Sequence, residues 1–261
     1  MKSGKARIVL CWALAVLCIP LGLLITSVLY ALMPGIKTGL QIYLLNIPSE
    51  LCCFALPAIL IMAARPQRLA RFLASARPLT SRVVGYTALF AVSATVVVSL
   101  IAALCGSFLE SAFGYTAEAQ PQVIPNGMGE WVLTLLCTAI VPAFAEELFF
   151  RGMLQGMLTK RLPRAGIWIA AFCFAALHRQ WDALPSLFML GMMLGYTNVR
   201  HGFWAGVLMH GLYNAAAVVL SARSVAITFP VLILCAAAFA FSCHGLMKKE
   251  KTDHEADGIG L

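Results

Sequence analysis

The sequence predicts an all-α, polytopic membrane protein, and both its composition and the spacing of its apolar residues support this. Of the 261 residues, 61% are hydrophobic and 11% are charged, whereas about a quarter of the residues in a soluble domain are charged. The apolar residues fall into stretches of about 20, the length of a helix that crosses a bilayer. No part of the chain is left for a sizeable soluble domain.

Eight apolar stretches bounded by charge, Pro or Gly are candidate transmembrane helices. They are predicted at 8–33, 40–64, 83–109, 130–158, 166–181, 183–199, 203–221 and 225–247. The polar stretch HRQWD between the fifth and sixth is so short that it is compatible with a position below the membrane surface. The predicted fold is therefore a bundle of about eight spans.

The basic residues predict the orientation of the bundle. With the N-terminus in the cytoplasm, fifteen of the nineteen Lys and Arg residues fall on the inner side, three fall on the outer side, and Arg151 lies within a span. This asymmetry follows the positive-inside rule and places both termini in the cytoplasm. Topology and anionic membrane lipids then account for the net charge of +8, so lipids are expected partners and nucleic acid is not.

The spans divide the chain into three predicted regions. Residues 1–128 hold three spans, a basic inner loop at 65–82 with the spacing of an amphipathic surface helix, and an outer loop at 110–129. Residues 129–247 hold the remaining spans and most of the buried polar groups, and they form the predicted transmembrane core. Residues 248–261 form a polar cytoplasmic tail.

The stretch FAEELFFRG, at 144–152, places three charges inside the fourth span. An ionised side chain there costs at least about 2.5 kcal/mol, so each needs a partner or a function. Glu147 and Arg151 are four residues apart, which predicts an ion pair on one helix face. Glu146 lies roughly 140° around the helix from Arg151. It is therefore expected either to take up a proton or to be held ionised by groups on other helices.

Three polar residues in later spans are candidates for these groups. His178 follows an apolar span, and by itself it is compatible with a simple boundary position. In the seventh span Gly202, Gly206, His210 and Asn214 recur at intervals of four. The glycines allow a neighbouring helix to approach, and the two polar side chains then face it. Hydrogen bonding between helices alone would also explain that pattern.

Depth favours a shared polar cavity over independent packing contacts. At about 1.5 Å per residue, Glu146, His178 and Asn214 lie about 17–18 Å from the inner ends of their helices, and His210 about 11 Å. A catalytic cavity requires such similar depths. A carboxylate at low dielectric suits general-base activation of water, and a histidine with an amide suits oxyanion binding. No Ser or Cys beside a His suggests a covalent nucleophile.

Three stretches resemble, in order, the motifs EExxxR, FxxxH and HxxxN of the CAAX-processing and bacteriocin-processing (CPBP, or Abi) intramembrane protease family. They are EELFFR at 146–151, FAALH at 174–178 and HGLYN at 210–214. The resemblance implies an eight-helix intramembrane endopeptidase. It implies that Glu146 activates water together with His178, that His210 and Asn214 form the oxyanion hole, and that the Glu–Arg pair of the fourth span supports the site.

The resemblance also sets the expected cofactors and substrates. The family has been labelled metalloproteases, but its structural picture favours a metal-free glutamate mechanism, and this chain has no HExxH helix. No cofactor is therefore expected; if a metal is used, the expected zinc ligands are Glu146, His178 and His210. The expected substrate is a peptide or a membrane-anchored protein. The composition and the short loops, not the resemblance, predict a prokaryotic inner membrane.

Two other classes of protein remain as alternatives. A membrane transporter also carries intramembrane Glu, His and Arg, although no inverted repeat is recognisable in this sequence. A non-catalytic immunity or scaffold protein of the same family is the other alternative, although all three motifs are complete. One further buried acid, Glu50, follows Pro48 and is expected in the first turn of the second span, where the helix dipole stabilises a carboxylate; a substrate role is its alternative.

Overall fold

A computed structural model of the chain describes residues 2–32, 39–64, 72, 77–117, 124–223 and 227–248. These ranges contain helices and no strand, which confirms the all-α class. The helices are α1 (Lys2–Leu32), α2 (Gly39–Glu50, the π-helical turn Leu51–Ala55, and Leu56–Ala63), α3 (Ser81–Phe113), α4 (Met128–Leu158), α5 (Ala165–Leu177), α6 (Leu184–His201), α7 (Phe203–Ala222) and α8 (Phe229–Met247).

Within the described ranges six helices are long and apolar enough to cross a membrane, and they lie in α1 to α4, α7 and α8. By contrast α5 has 13 residues, about 20 Å at 1.5 Å per residue, whereas a hydrocarbon core is about 30 Å thick. The predicted fifth span, 166–181, is too long because His178 caps the helix and Arg179 takes a left-handed conformation. The count of eight spans and their orientation stay predictions.

Wider π-helical turns interrupt α4 on both sides of its acidic pair. The first, Leu136–Ile140, ends two residues before Pro142. Proline lacks an N–H and displaces the carbonyl four residues earlier, so the preceding turn loses regular hydrogen bonding. The second, Leu148–Gln155, follows Glu147 and contains Arg151. Such turns are frequent at functional sites, and here they change the angular positions that a regular helix would give.

The apolar core joins both halves of the chain. Phe90 of α3 belongs to one buried cluster with Phe150 of α4 and Phe174 of α5. A second cluster joins Ala58 of α2 to Ala145 of α4. Many large apolar side chains of α1, α5 and α8 are exposed in the isolated chain, as expected where lipid tails cover a helix. Helices from before residue 128 therefore support the polar residues of α4.

Glycines allow α5 to pack tightly between its neighbours. A Cβ built on Gly191 of α6 would lie 3.1 Å from backbone atoms of Ala171 in α5. A Cβ built on Gly166, in the first turn of α5, would lie 2.7 Å from the backbone nitrogen of Thr159. These contacts hold α5 between the end of α4 and the middle of α6, and so they fix the position of His178 at its C-terminus.

The basic inner loop differs from its prediction at its C-terminal end. Residues 65–71 and 73–76 of the predicted surface helix lie outside the described residues. Residues 81 and 82 belong to α3, whose first turn is capped by Thr80 through a hydrogen bond of 3.3 Å donated by the Val83 N–H. A threonine hydroxyl at this position satisfies one of the free N–H groups of a helix start.

The predicted outer loop at 110–129 is shorter than expected. The helix α3 continues to Phe113, where Gly114 ends it in a left-handed conformation, and α4 begins at Met128. Residues 118–123 lie outside the described residues, as does the tail after Lys248. The division of the chain into three regions stays a prediction.

We expect Gly166→Ala to destabilise the protein by about 1–3 kcal/mol, because the added methyl group meets backbone atoms that have no room to move. Thermal unfolding of purified protein in detergent measures this. Gly85→Ala in α3 is the matched control, because a Cβ there meets nothing within 4 Å. Equal unfolding temperatures of the two variants would contradict the packing of α5 described above.

Candidate active site

A buried ionic cluster joins α4 to α7. The Oε1 atom of Glu147 lies 2.9 Å from Nη1 of Arg151 and 3.0 Å from Nδ1 of His210. All three side chains are buried, and Glu147 is completely so. The predicted pair of Glu147 with Arg151 is confirmed, and His210 is a second partner that the spacing did not indicate. Because a carboxylate only accepts, Nδ1 of His210 donates this hydrogen bond and Nε2 is left for another partner.

Small residues on α7 allow this approach. A Cβ on Gly206 would lie 3.2 Å from Oε2 of Glu147, so a larger residue would crowd the carboxylate. The expectation that Gly206 permits close packing is confirmed. Gly202 has another function, because its φ of 88° ends α6 and caps α7. It is therefore a turn residue, not a member of the packed helix face.

Arg151 is held by two further helices. Its Nη2 donates to the backbone carbonyl of Gly191 in α6 at 3.2 Å, and its guanidinium carbon lies 4.6 Å from the centre of the Phe174 ring in α5. One turn further along α4, Gln155 donates in the same way to the carbonyl of Gly195 at 3.1 Å. Planar guanidinium groups favour such stacking on aromatic rings, so Arg151 connects α4, α5 and α6.

Phe174 separates the two histidines of the site. Its ring centre lies 4.7 Å from that of His178 and 5.6 Å from that of His210. Nδ1 of His178 is 2.8 Å from the carbonyl oxygen of Phe174, so it donates to that oxygen. In the neutral ring Nε2 then carries a lone pair. His178 is half-buried, and its Nε2 suits the binding of a water molecule.

Glu146 is buried, with 8% of its surface exposed, and its Oε2 atom has no hydrogen-bond partner among the described residues. Although Glu146 is next to Glu147 in the chain, no ion pair joins it to Arg151. This is expected from its position around the helix. A buried polar atom without a partner is costly. This atom is therefore available to a water molecule or a substrate group.

Glu50 is the residue whose position the sequence misplaced. It is not in the first turn of the second span; it is the last residue of Gly39–Glu50 and directly precedes the π-helical turn Leu51–Ala55. The helix begins well before Pro48, which lies inside it, and this places the carboxylate in mid-helix. Glu50 lies within electrostatic range of Glu146, and its Oε2 also lacks a partner in the described ranges. In the sequence, the signal for this proximity is that Glu50 and Glu146 are both buried acids without a partner on helices that pack together.

Asn214 lies one turn beyond His210 on α7 and is half-buried. The structure thus brings Glu147, Arg151 and His210 into direct contact. It places His178 beside them through the shared ring of Phe174. Only its position on α7 brings Asn214 near the site. Among the described residues, its side chain makes no hydrogen bond or ion pair with the cluster.

The predicted zinc ligands Glu146, His178 and His210 do not form a ready metal site. Among the described residues no group of three His, Cys, Asp or Glu side chains is arranged to hold a metal ion. Moreover, the Nδ1 atoms of both histidines are occupied by hydrogen bonds within the protein.

These features define a class: a multi-pass membrane protein with a cluster of buried Glu, Arg and His side chains, of the kind that marks function inside a membrane. Residues 128–216 match the model of the family described as Type II CAAX prenyl endopeptidase Rce1-like. The match contains every predicted catalytic residue, from Glu146 to Asn214, and it confirms the resemblance that the three motifs indicated. Neither a curated protein nor a solved structure matches the chain.

We expect Arg151→Met to lower the stability by about 3–5 kcal/mol, because Glu147 becomes a buried charge without its guanidinium partner. The double variant Glu147→Gln with Arg151→Met removes both charges and is expected to be more stable than the single variant. Thermal unfolding in detergent compares the two. A double variant that unfolds at the same temperature as the single one would contradict a mutually compensating pair.

Proposed function

We propose that the protein is an endopeptidase that hydrolyses peptide bonds within the membrane by a metal-free glutamate mechanism. The observation that carries the proposal is the buried contact of Glu147 with both Arg151 and His210, next to the unpartnered carboxylate of Glu146. The match to an endopeptidase family over residues 128–216 supports it. Glu146 is a carboxylate without a partner, and it lies next to the ordered contacts of Glu147 with Arg151 and His210. Such an arrangement suits an active site that is preorganised for a reacting group.

In the proposed first step, Glu146 removes a proton from a water molecule. Nε2 of His178 accepts a hydrogen bond from the other O–H of that water, which keeps its hydrogen, because Nδ1 of His178 already donates to the Phe174 carbonyl. The water oxygen forms a bond to the carbonyl carbon of the substrate peptide. The electron pair of the C=O bond moves to the carbonyl oxygen, which becomes an oxyanion.

In the second step the oxyanion accepts hydrogen bonds from Nε2–H of His210 and from the side-chain amide of Asn214. With Nδ1 of His210 donating to Glu147, a proton at Nε2 makes the ring an imidazolium, which the adjacent carboxylate stabilises. The oxyanion then re-forms the C=O bond and the C–N bond breaks. Glu146 returns its proton to the leaving nitrogen, so the products are a carboxyl group and an amine.

Glu147 and Arg151 are positioning residues in this proposal. Glu147 orients His210, and Arg151 fixes Glu147 while it donates to Gly191 of α6. Because this arrangement ties α4, α6 and α7 together before substrate binds, little reorganisation is needed when the oxyanion forms. The chain itself thus supplies the positive charge that the transition state needs.

The proposed substrate is a peptide or a membrane-anchored protein, and the proposed location is a prokaryotic inner membrane with both termini in the cytoplasm. The site lies where α5 ends after 13 residues, too few to cross the bilayer. Residues 178–182, which follow, line a cavity of about 630 Å³. His178 is one of its lining residues. This cavity offers water and a hydrophilic peptide a route to the site.

We expect Glu146→Gln to lower peptide cleavage at least about 100-fold without loss of stability, because an amide cannot act as the general base. The measurement is comparative peptidomics of membranes from cells that carry the wild type or the variant as the sole copy. Glu110→Gln, which alters an exposed glutamate of α3, is the matched control and should cleave normally. A Glu146→Gln variant that still produces the wild-type peptides would refute the assignment.

We also expect purified protein to keep its cleavage activity after exhaustive treatment with a metal chelator, because its own side chains provide the base and the oxyanion donors. The assay uses a peptide identified by the peptidomics experiment, with chelator removed before the measurement. Activity that is lost in the chelator and restored by zinc would instead support Glu146, His178 and His210 as ligands.

A further inference from the structure

A cavity of about 380 Å³ adjoins the buried ionic cluster and is lined by the C-terminal part of α4 and by Lys160 just beyond that helix. Its walls come from α2, α4, the junction of α6 with α7, and Phe72 and Arg77 before α3, and Arg151 is one of the lining residues. The volume falls in the lower part of the range for small-molecule sites, about 300–1,000 Å³. None of the proposed reacting groups Glu146, His178, His210 and Asn214 lines it. The cavity therefore adjoins the proposed reaction site through Arg151 but is lined by none of its reacting groups.

The polar part of the cavity is basic. Its described lining includes Arg77, Lys160 and Arg151, and it includes no acidic side chain. Arg151 is already neutralised by Glu147. Arg77 is oriented by a hydrogen bond that its Nη1 donates to the backbone carbonyl of Arg200 at the end of α6. Arg77 and Lys160 place two cationic groups in the lining, and cationic groups favour an anion in the cavity.

Apart from Asn198 and three glycines, the rest of the lining is apolar and adaptable. Met62, Met153 and Met157 form much of the wall, and methionine side chains adjust to flexible apolar ligands. Gly152 leaves room for the Phe72 ring, because a Cβ on Gly152 would lie 3.2 Å from that ring. Basic groups and an apolar, methionine-rich wall in one cavity match a molecule with an anionic head and a hydrocarbon chain.

We propose that this cavity is a binding site for one anionic phospholipid, with its phosphate at Arg77 and Lys160 and an acyl chain along the methionine wall. Basic pockets between membrane helices bind anionic head groups in this way. In the predicted orientation both basic residues belong to the inner side, where anionic lipid is concentrated. The site is independent of the proposed protease activity, so its test needs no substrate.

The test is native mass spectrometry of the full chain in a neutral detergent, titrated with phosphatidylglycerol or with phosphatidylcholine of the same acyl chains. We expect phosphatidylglycerol to bind about tenfold more tightly, because each basic residue near a head group favours the anionic lipid. Arg77→Gln combined with Lys160→Gln is expected to abolish that preference. Inorganic phosphate and glycerol phosphate, which have no chain, are expected not to compete.

The matched control removes two charges from the same end of the protein. Arg161→Gln combined with Arg164→Gln alters two exposed residues that do not line this cavity, and it should keep the preference for phosphatidylglycerol. Equal unfolding temperatures in detergent alone establish that both double variants are folded. If either double variant unfolds early, the wild-type protein provides the test by itself, because high salt should remove its preference for the anionic lipid.

Three results would overturn the proposal. Equal binding of the two lipids to the wild type would show that the basic groups do not select the head group. An equal loss of preference in the control variant would show that general surface charge attracts the lipid. Tighter binding of an acylated peptide with a free carboxylate, lost in Arg77→Gln with Lys160→Gln while the two lipids bind alike, would make the cavity a substrate-tail site.

Discussion

The arrangement of this membrane protein depends on the buried carboxylate of Glu147. Its Oε1 atom contacts the guanidinium of Arg151 and the imidazole of His210, and the side chain has no exposed surface. An isolated charge would be very costly at that place, so the three groups have to be present together. Because they come from α4 and α7, and because Arg151 also reaches α6, this single requirement fixes the relative positions of three helices.

The surrounding backbone is adapted to the same requirement. Gly206 leaves space for the second oxygen of Glu147, and Gly191 provides both a close contact with α5 and a carbonyl for Arg151. The π-helical turn Leu148–Gln155 changes the angular positions of the side chains within the EELFFR stretch. In a bilayer, where apolar packing between helices gains little over packing against lipid, such small residues and polar contacts are the main determinants of helix association.

Much of the site could be predicted from local spacing. The interval of four between Glu147 and Arg151 gave their ion pair, and the hydropathy of the chain gave a multi-pass helical protein. The second partner of Glu147 could not be predicted in this way, since His210 is 63 residues away. The predicted position of Glu50 was wrong because the helix begins well before Pro48, and no sequence signal near Pro48 marks that start. The predicted fifth span was too long because it included the capping His178 and the left-handed Arg179. Hydropathy does not record the backbone conformation that ends the helix there.

The sequence by itself determined the class of protein, the residue types of the site and the three motifs that the family match over residues 128–216 contains. These properties depend on composition and on intervals within one helix, and both are local. Only the tertiary structure determined that Glu147 joins Arg151 to His210, that Phe174 separates the two histidines, and that Glu50 lies near Glu146. Contacts between helices depend on which faces pack together, and glycines and π-helical turns set those faces through backbone geometry that hydropathy does not record.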